Sequence, residues 1–312
     1  MAQVGGLTVT KQGFQATEHI FNPSFLSSGT FTFFIGPQRK EYVVYKAAFA
    51  NLSPMLTAIM NNAAETGLVV FDSIEENVFE TLCEYAYTGF LRYGPYNLDS
   101  STEDQQSPAT VEDGQRASVV HADSEVPPTL RDQIKTAFLT GCNTEVHCSS
   151  CGRKKCEMPP CLQYSVFYHI FCEYEEVANK PRFIHAPVAN QNMNYSNALL
   201  YYAKLYMLSH RFKIKGLKIL ACRCIHTVLV SLPLVQRRIP DLIPLIELVY
   251  SDLKYGDLLR RMVATFTAAI KEKLMEHPKF KNLLQEQQAF CYEVLEICAE
   301  YSRAEKELRH PD

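Results

Sequence analysis

The chain of 312 residues has no tryptophan, an absence that excludes little, because 47% of it is apolar and that is ample for a core. Net charge is nearly missing too: 31 Lys and Arg against 34 Asp and Glu leave −3. Nothing global therefore points to nucleic acid or to an anionic membrane. No apolar run approaches the roughly 18 residues a spanning helix needs. The first residues, MAQVGGLTVTKQGF, lack the charged-then-apolar pattern of a secretory signal. The expectation is a soluble, intracellular protein, cytoplasmic, nuclear or both. Catalytic signatures are absent: there is no G-x-S-x-G, no glycine-rich phosphate loop and no H-E-x-x-H. Acidic residues read as helix-surface or loop positions. Any Cys–His nucleophile pair drawn from 11 Cys and 9 His is arbitrary, so no enzyme is expected.

What is present is concentrated between Phe31 and Gly89. Phe31, Phe33 and Ile35 alternate with Thr32 and Phe34, the period-two pattern of a strand. Gly36 and Pro37 open a turn, and the β-branched, aromatic run Tyr42-Val43-Val44-Tyr45 completes a hairpin. A short helix starts at Lys46. Ser53 at an N-cap and Pro54 at the first helical position predict a second, with Met55, Leu56, Ile59 and Met60 on its apolar face. Residues 68–71 read as a buried strand. Ser73 with Glu76 gives a capping-box pattern for a third helix. Ile74, Val78, Phe79, Leu82, Cys83 and Ala86 line one side of it, and Gly89 ends it.

Strand, strand, helix, helix, strand, helix in about sixty residues resembles a BTB/POZ domain of the form common in filamentous fungi. The matching stretches are YVVYKAAFANLSPMLTAIM (42–60) and ENVFETLCEYAYTG (76–89), and the resemblance as a whole covers residues 25–92. The resemblance implies an α+β fold, a small mixed sheet capped by helices. It further implies self-association as a homodimer, with recruitment of protein partners, a cullin scaffold among them. The family's cullin-contact motif, a large apolar residue followed by x-Glu, falls on Ala63-Ala64-Glu65, where the acid is present and the large anchor is not. Repressor-type members carry an Asp and an Arg where Thr30 and Leu52 stand here, and Tyr45 replaces the frequent His before Lys46.

The domain reads as interrupted. Residues 1–24 are a poorly periodic lead-in and 25–95 the first part of the domain. An insertion follows over 96–195. Its first part, to about 132, is polar and acidic, and too poor in large apolar side chains to offset the entropy of ordering. Its second part places Cys148, Cys151, Cys156 and Cys161 at C-x2-C-x4-C-x4-C spacing, with Cys142 and His147 as spare donors. Two thiolates from a C-x2-C turn and two more within ten residues can close a tetrahedral structural zinc site. Reduced thiols in a loop are the other reading. The spacing resembles a zinc knuckle with Cys for its His. Beside it lies a basic cluster, Arg153, Lys154 and Lys155. Residues 162–178 are dense in Tyr and Phe and read as packing on the domain body or as a partner surface.

Residues 196–230 are helical by period, with Leu199, Ala203, Tyr206, Met207 and His210 on one face and a break at Phe212-Lys213. Leu217, Leu220, Ala221, Cys224, Ile225 and Val228 follow on a second helix. The pair resembles the last two helices of a BTB domain. His210 reads as a packed or surface residue. Residues 231–312 read as an all-α extension. Pro233, Pro240 and Pro244 punctuate its first part. Leu259, Met262, Val263, Phe266, Ile270 and Leu274 then form one amphipathic helix, and Phe290, Val294, Ile297 and Tyr301 a last one. Paired helices after such a domain resemble the BACK extension. The leading expectation is an interaction module without catalysis. The alternative is a zinc-stabilised nucleic-acid or chromatin-associated factor, against which the negative net charge counts.

Overall fold

In the computed structural model the alternation of residues 30–45 becomes a hairpin. Strands β1 (Thr30–Ile35) and β2 (Lys40–Tyr45) pair antiparallel, with Phe31 opposite Val44 and Phe33 opposite Tyr42. Phe31, Phe33 and Ile35 are buried, while Thr32 and Phe34 on the other face are half-buried. The turn is made at Gly36 (φ +75°) and Arg39 (φ 52°), left-handed positions that glycine adopts at no steric cost. Strand β3 (Leu68–Phe71) runs parallel to β1 on its other side, giving the order β2-β1-β3.

The structure describes residues 27–91, 97–98, 167 and 193–309. The molecule is a mixed α and β protein: a small three-stranded mixed sheet, with helices for most of the rest. It divides into two compact units, Met1–Phe90 and Leu91–Asp312. Outside the described residues lie the 1–24 lead-in and the acidic stretch apart from Asn97–Leu98. So do Cys142, His147, Cys148, Cys151, Cys156 and Cys161 with their basic neighbours, and the 162–178 aromatic stretch apart from Phe167.

In the first unit, helices α1 (Lys46–Ala50), α2 (Pro54–Asn62) and α3 (Glu76–Thr88) accompany the sheet. Phe33 is the centre of the core, with ring centroids 5.1 Å from Phe31 and 5.4 Å from both Phe49 and Phe79. Ser53 caps α2 through its Oγ, which accepts from the Leu56 N–H at 3.1 Å, and Pro54 follows as the first helical residue. Leu56 and Met60 face inward, whereas Met55 is exposed. Gly89 closes α3 at φ 68°.

Two expectations are corrected here. The Ser73–Glu76 capping box does not form: α3 starts only at Glu76, with Glu75 in the N-cap position and no side-chain cap. Residues 72–74 are used by the turn leaving β3, where the Ile74 N–H reaches the Phe71 carbonyl. Nor is β3 buried, since its residues alternate between exposed and half-buried. A short apolar run reads as covered on both faces. This one is an edge strand whose second face, at Leu68 and Val70, is 40% and 37% exposed.

In the second unit a two-residue ladder, β4 (Asn97–Leu98) with β5 (Met193–Asn194), precedes α4 (Ser196–Arg211) and α5 (Lys215–Ser231). A 3-10 helix, Gln236–Leu242, leads into α6 (Ile243–Asp252), α7 (Leu258–Leu274), α8 (Pro278–Glu286) and α9 (Gln288–Arg309). The inward faces expected for α5, α7 and α9 are all buried. Pro244 and Pro278 sit in the first turns of α6 and α8, where a missing N–H costs nothing. Phe167 packs edge-on against Phe266 at 5.0 Å and lies 5.2 Å from the His226 ring. No described helix is long and apolar enough to cross a membrane.

Candidate interaction surface

The pleat of the three-stranded sheet sends alternate side chains to opposite faces. One face is the aromatic core. The register places Val43, Thr32 and Leu68 side by side across the other, and Glu41, Phe34 and Val70 in the next row. Val43 is 58% exposed, Leu68 40% and Val70 37%. Glu41 is the one charged residue in these two rows. The result is an apolar, gently pleated surface open among the described residues.

The strand edges beside this surface are tied to side chains. The Tyr45 N–H donates to the Tyr87 hydroxyl at 3.0 Å, and burial raises the pKa of that phenol. The Thr66 hydroxyl donates to the Leu68 carbonyl at 3.2 Å. Side-chain partners of this kind blunt an edge against further strand pairing. On the β2 side, Lys40 lies 2.9 Å from Glu80 and 3.4 Å from Glu76, and the Tyr42 hydroxyl donates to Glu80 at 2.9 Å. The bonds from Lys40 and then Tyr42 hold the Glu80 carboxyl below its usual range, and the same carboxylate raises the Lys40 ammonium. These groups are solvent-exposed, so they orient the hairpin on α3 more than they stabilise it.

Ala63, Ala64 and Glu65 form the turn between α2 and β3. Ala63 stands at the C-cap of α2, and its carbonyl accepts from the Gly67 N–H at 2.8 Å. Ala64 and Glu65 are exposed, and Leu68 of the open face follows three residues after Glu65.

In the second unit, His210 is exposed at the end of α4 with its Nδ1 3.4 Å from Asp257. Acidic groups were expected at surfaces, and three are not. Asp241 and Glu293 are buried, and the half-buried Asp257 keeps its side chain only 8% exposed, because each meets a set of donors that replaces its water. Asp257 caps α7, accepting from the Leu259 N–H at 2.9 Å and the Tyr206 hydroxyl at 2.8 Å. Glu293 of α9 is held by Arg260 of α7 at 2.6 Å and by the Tyr250 hydroxyl of α6 at 2.9 Å. Asp241 pairs with Arg238, whose Nη1 also donates to the Met193 carbonyl. A sequence signal existed for Asp257 alone, an N-cap residue opening a periodic apolar stretch.

Burial pushes the thiols of Cys83, Cys222 and Cys224 up to about 12 each, away from the thiolate. Among the described residues no three or more His, Cys, Asp and Glu gather as metal ligands. Compared with protein-family models, with curated proteins and with solved structures, the chain matches none.

Proposed function

We propose that the chain is a non-enzymatic protein–protein interaction module whose first unit is a BTB/POZ-like domain that self-associates and recruits partners. The observation that carries this reading is the open face of the sheet, where Val43, Leu68 and Val70 stand exposed beside Phe34. A contiguous apolar face of this kind is an interaction site or an aggregation liability. A homodimer uses such a face twice across a two-fold axis. The β-β-α-α-β-α order with a parallel β1–β3 pair is compatible with the family resemblance. Recruitment of a cullin scaffold would use the exposed Glu65, but alanine stands in place of the apolar anchor. Self-association is therefore the function proposed first.

Native mass spectrometry of the full chain at several concentrations tests it. A dimer that dissociates on dilution, and that Val43→Glu converts to monomer without loss of helical signal, is the expected result. A wild-type chain that stays monomeric at every concentration overturns the reading, as does a Val43→Glu variant that still dimerises.

A further inference from the structure

The chain is almost neutral as a whole, but its charge is segregated. Between Glu176 and Asp241 there is no Asp or Glu, while Lys and Arg recur throughout. The connection between α4 and α5 concentrates them. Arg211 ends α4, Lys213 lies in the connection, Lys215 opens α5 and Lys218 follows one turn later. Inward and outward residues alternate here. Phe212 and Ile214 are buried at 1% and 2% exposure, and Arg211, Lys213 and Lys215 are exposed.

The turn is pinned. The Phe212 N–H reaches the Leu208 carbonyl at 3.0 Å, that of Lys213 reaches His210 at 3.1 Å, and that of Ile214 reaches Ser209 at 2.8 Å. Lys213 is held at φ 56°, a conformation that costs a residue with a Cβ and persists because its neighbours enforce it. Asp257 offsets part of the charge. It lies 3.4 Å from His210 and 3.6 Å from Lys218, yet its side chain is only 8% exposed and already accepts from Tyr206 and Leu259. Among the described residues no carboxylate pairs with Lys213 or Lys215. The first turn of α5 carries no acidic residue either.

We infer that this basic turn, Arg211, Lys213, Lys215 and Lys218, is a docking surface for an acidic peptide segment of a partner protein. Three features select that occupant. Among the described residues, Arg211, Lys213, Lys215 and Lys218 cluster at one turn, a shorter run than a nucleic-acid backbone tracks. The aromatic residues nearest in the chain, Tyr206 and Phe212, are buried, so neither of these rings is offered for base stacking. The apolar residues of the turn point inward, so none is available to enter a lipid interface. Compact ammonium groups on a rigid turn suit carboxylates spaced along an extended chain. This surface lies in the helical unit and does not depend on self-association of the first unit.

Fluorescence anisotropy of a labelled peptide of alternating Glu and Ser, titrated with the full chain, tests the inference. Binding that weakens with added salt is expected. The double variant Lys213→Glu with Lys215→Glu should bind at least about tenfold more weakly. An acid in the first turn of α5 favours the helix, so this variant keeps its fold, and its thermal midpoint checks that. The inference is overturned by absence of salt-sensitive binding, or by equal affinity in the folded double variant. A single-stranded oligonucleotide of matched charge bound more tightly through the same lysines would replace the peptide by nucleic acid.

Discussion

Tyr250 and Tyr301 are both buried tyrosines of the second unit, yet they differ in one atom's company. The Tyr250 hydroxyl donates to Glu293, whereas the Tyr301 hydroxyl has no hydrogen-bond partner among the described residues. A satisfied buried hydroxyl stabilises, while an unsatisfied one carries its desolvation cost uncompensated. Tyr301→Phe should therefore leave stability unchanged or raise it slightly, and Tyr250→Phe should cost about 1–3 kcal/mol. Urea denaturation of the two variants side by side decides this. His226 gives a second test at this scale. Burial lowers its pKa to about 4 from an ordinary 6.5, so the folded chain holds the ring neutral where the unfolded chain would protonate it. The folded pKa is the lower one, so stability from this residue is complete above pH 6.5 and is lost as pH falls toward 4. Between pH 7.5 and pH 5 the loss should be about 2 kcal/mol. His226→Phe should flatten that part of the profile in denaturant titrations at the two pH values. The inward placement of Tyr301 was legible from helical spacing. That its hydroxyl lacks a partner was not, because the neighbours come from other elements.

Elements declared their ends unevenly. Ser53-Pro54 and Gly89 act on their own helices, so their roles as caps were readable from neighbours in the chain. Ser73 had an equally good local pattern and lost to the turn leaving β3, a competition set by where the strand must stop. The Arg260–Glu293 pair was not readable at all, since two helices far apart in sequence supply it. It ties α9 to α7, and Tyr250 adds α6, with the Arg260 guanidinium 4.3 Å from that ring. Breaking a buried pair leaves the other charge stranded. Glu293→Ala should destabilise the second unit by about 3–5 kcal/mol, and replacing both partners by apolar residues of similar volume should restore much of the loss. Thermal unfolding of the single and double variants checks both parts.

At the scale of the whole molecule, the proposed dimer makes a prediction that no single contact makes. A two-fold interface counts each residue twice. Val43→Glu removes two apolar contacts and adds two charges to one surface, so the dissociation constant should rise by about a hundredfold or more, measurable by sedimentation. The chain's sequence determined its local alphabet: the hairpin, the positions of most helices, their inward faces and the caps that depend on adjacent residues. These follow from periodicity and backbone preference, which act over a few residues. Tertiary structure alone decided that β3 is an edge strand with an open face, because burial depends on what covers a strand. It also decided that the side chains of Asp257, Asp241 and Glu293 lie inside, because a carboxylate can leave water only where donors from other elements converge. The basic turn needed both: its lysines are plain in the sequence, but the tight connection that points them outward is a property of the packed helix pair.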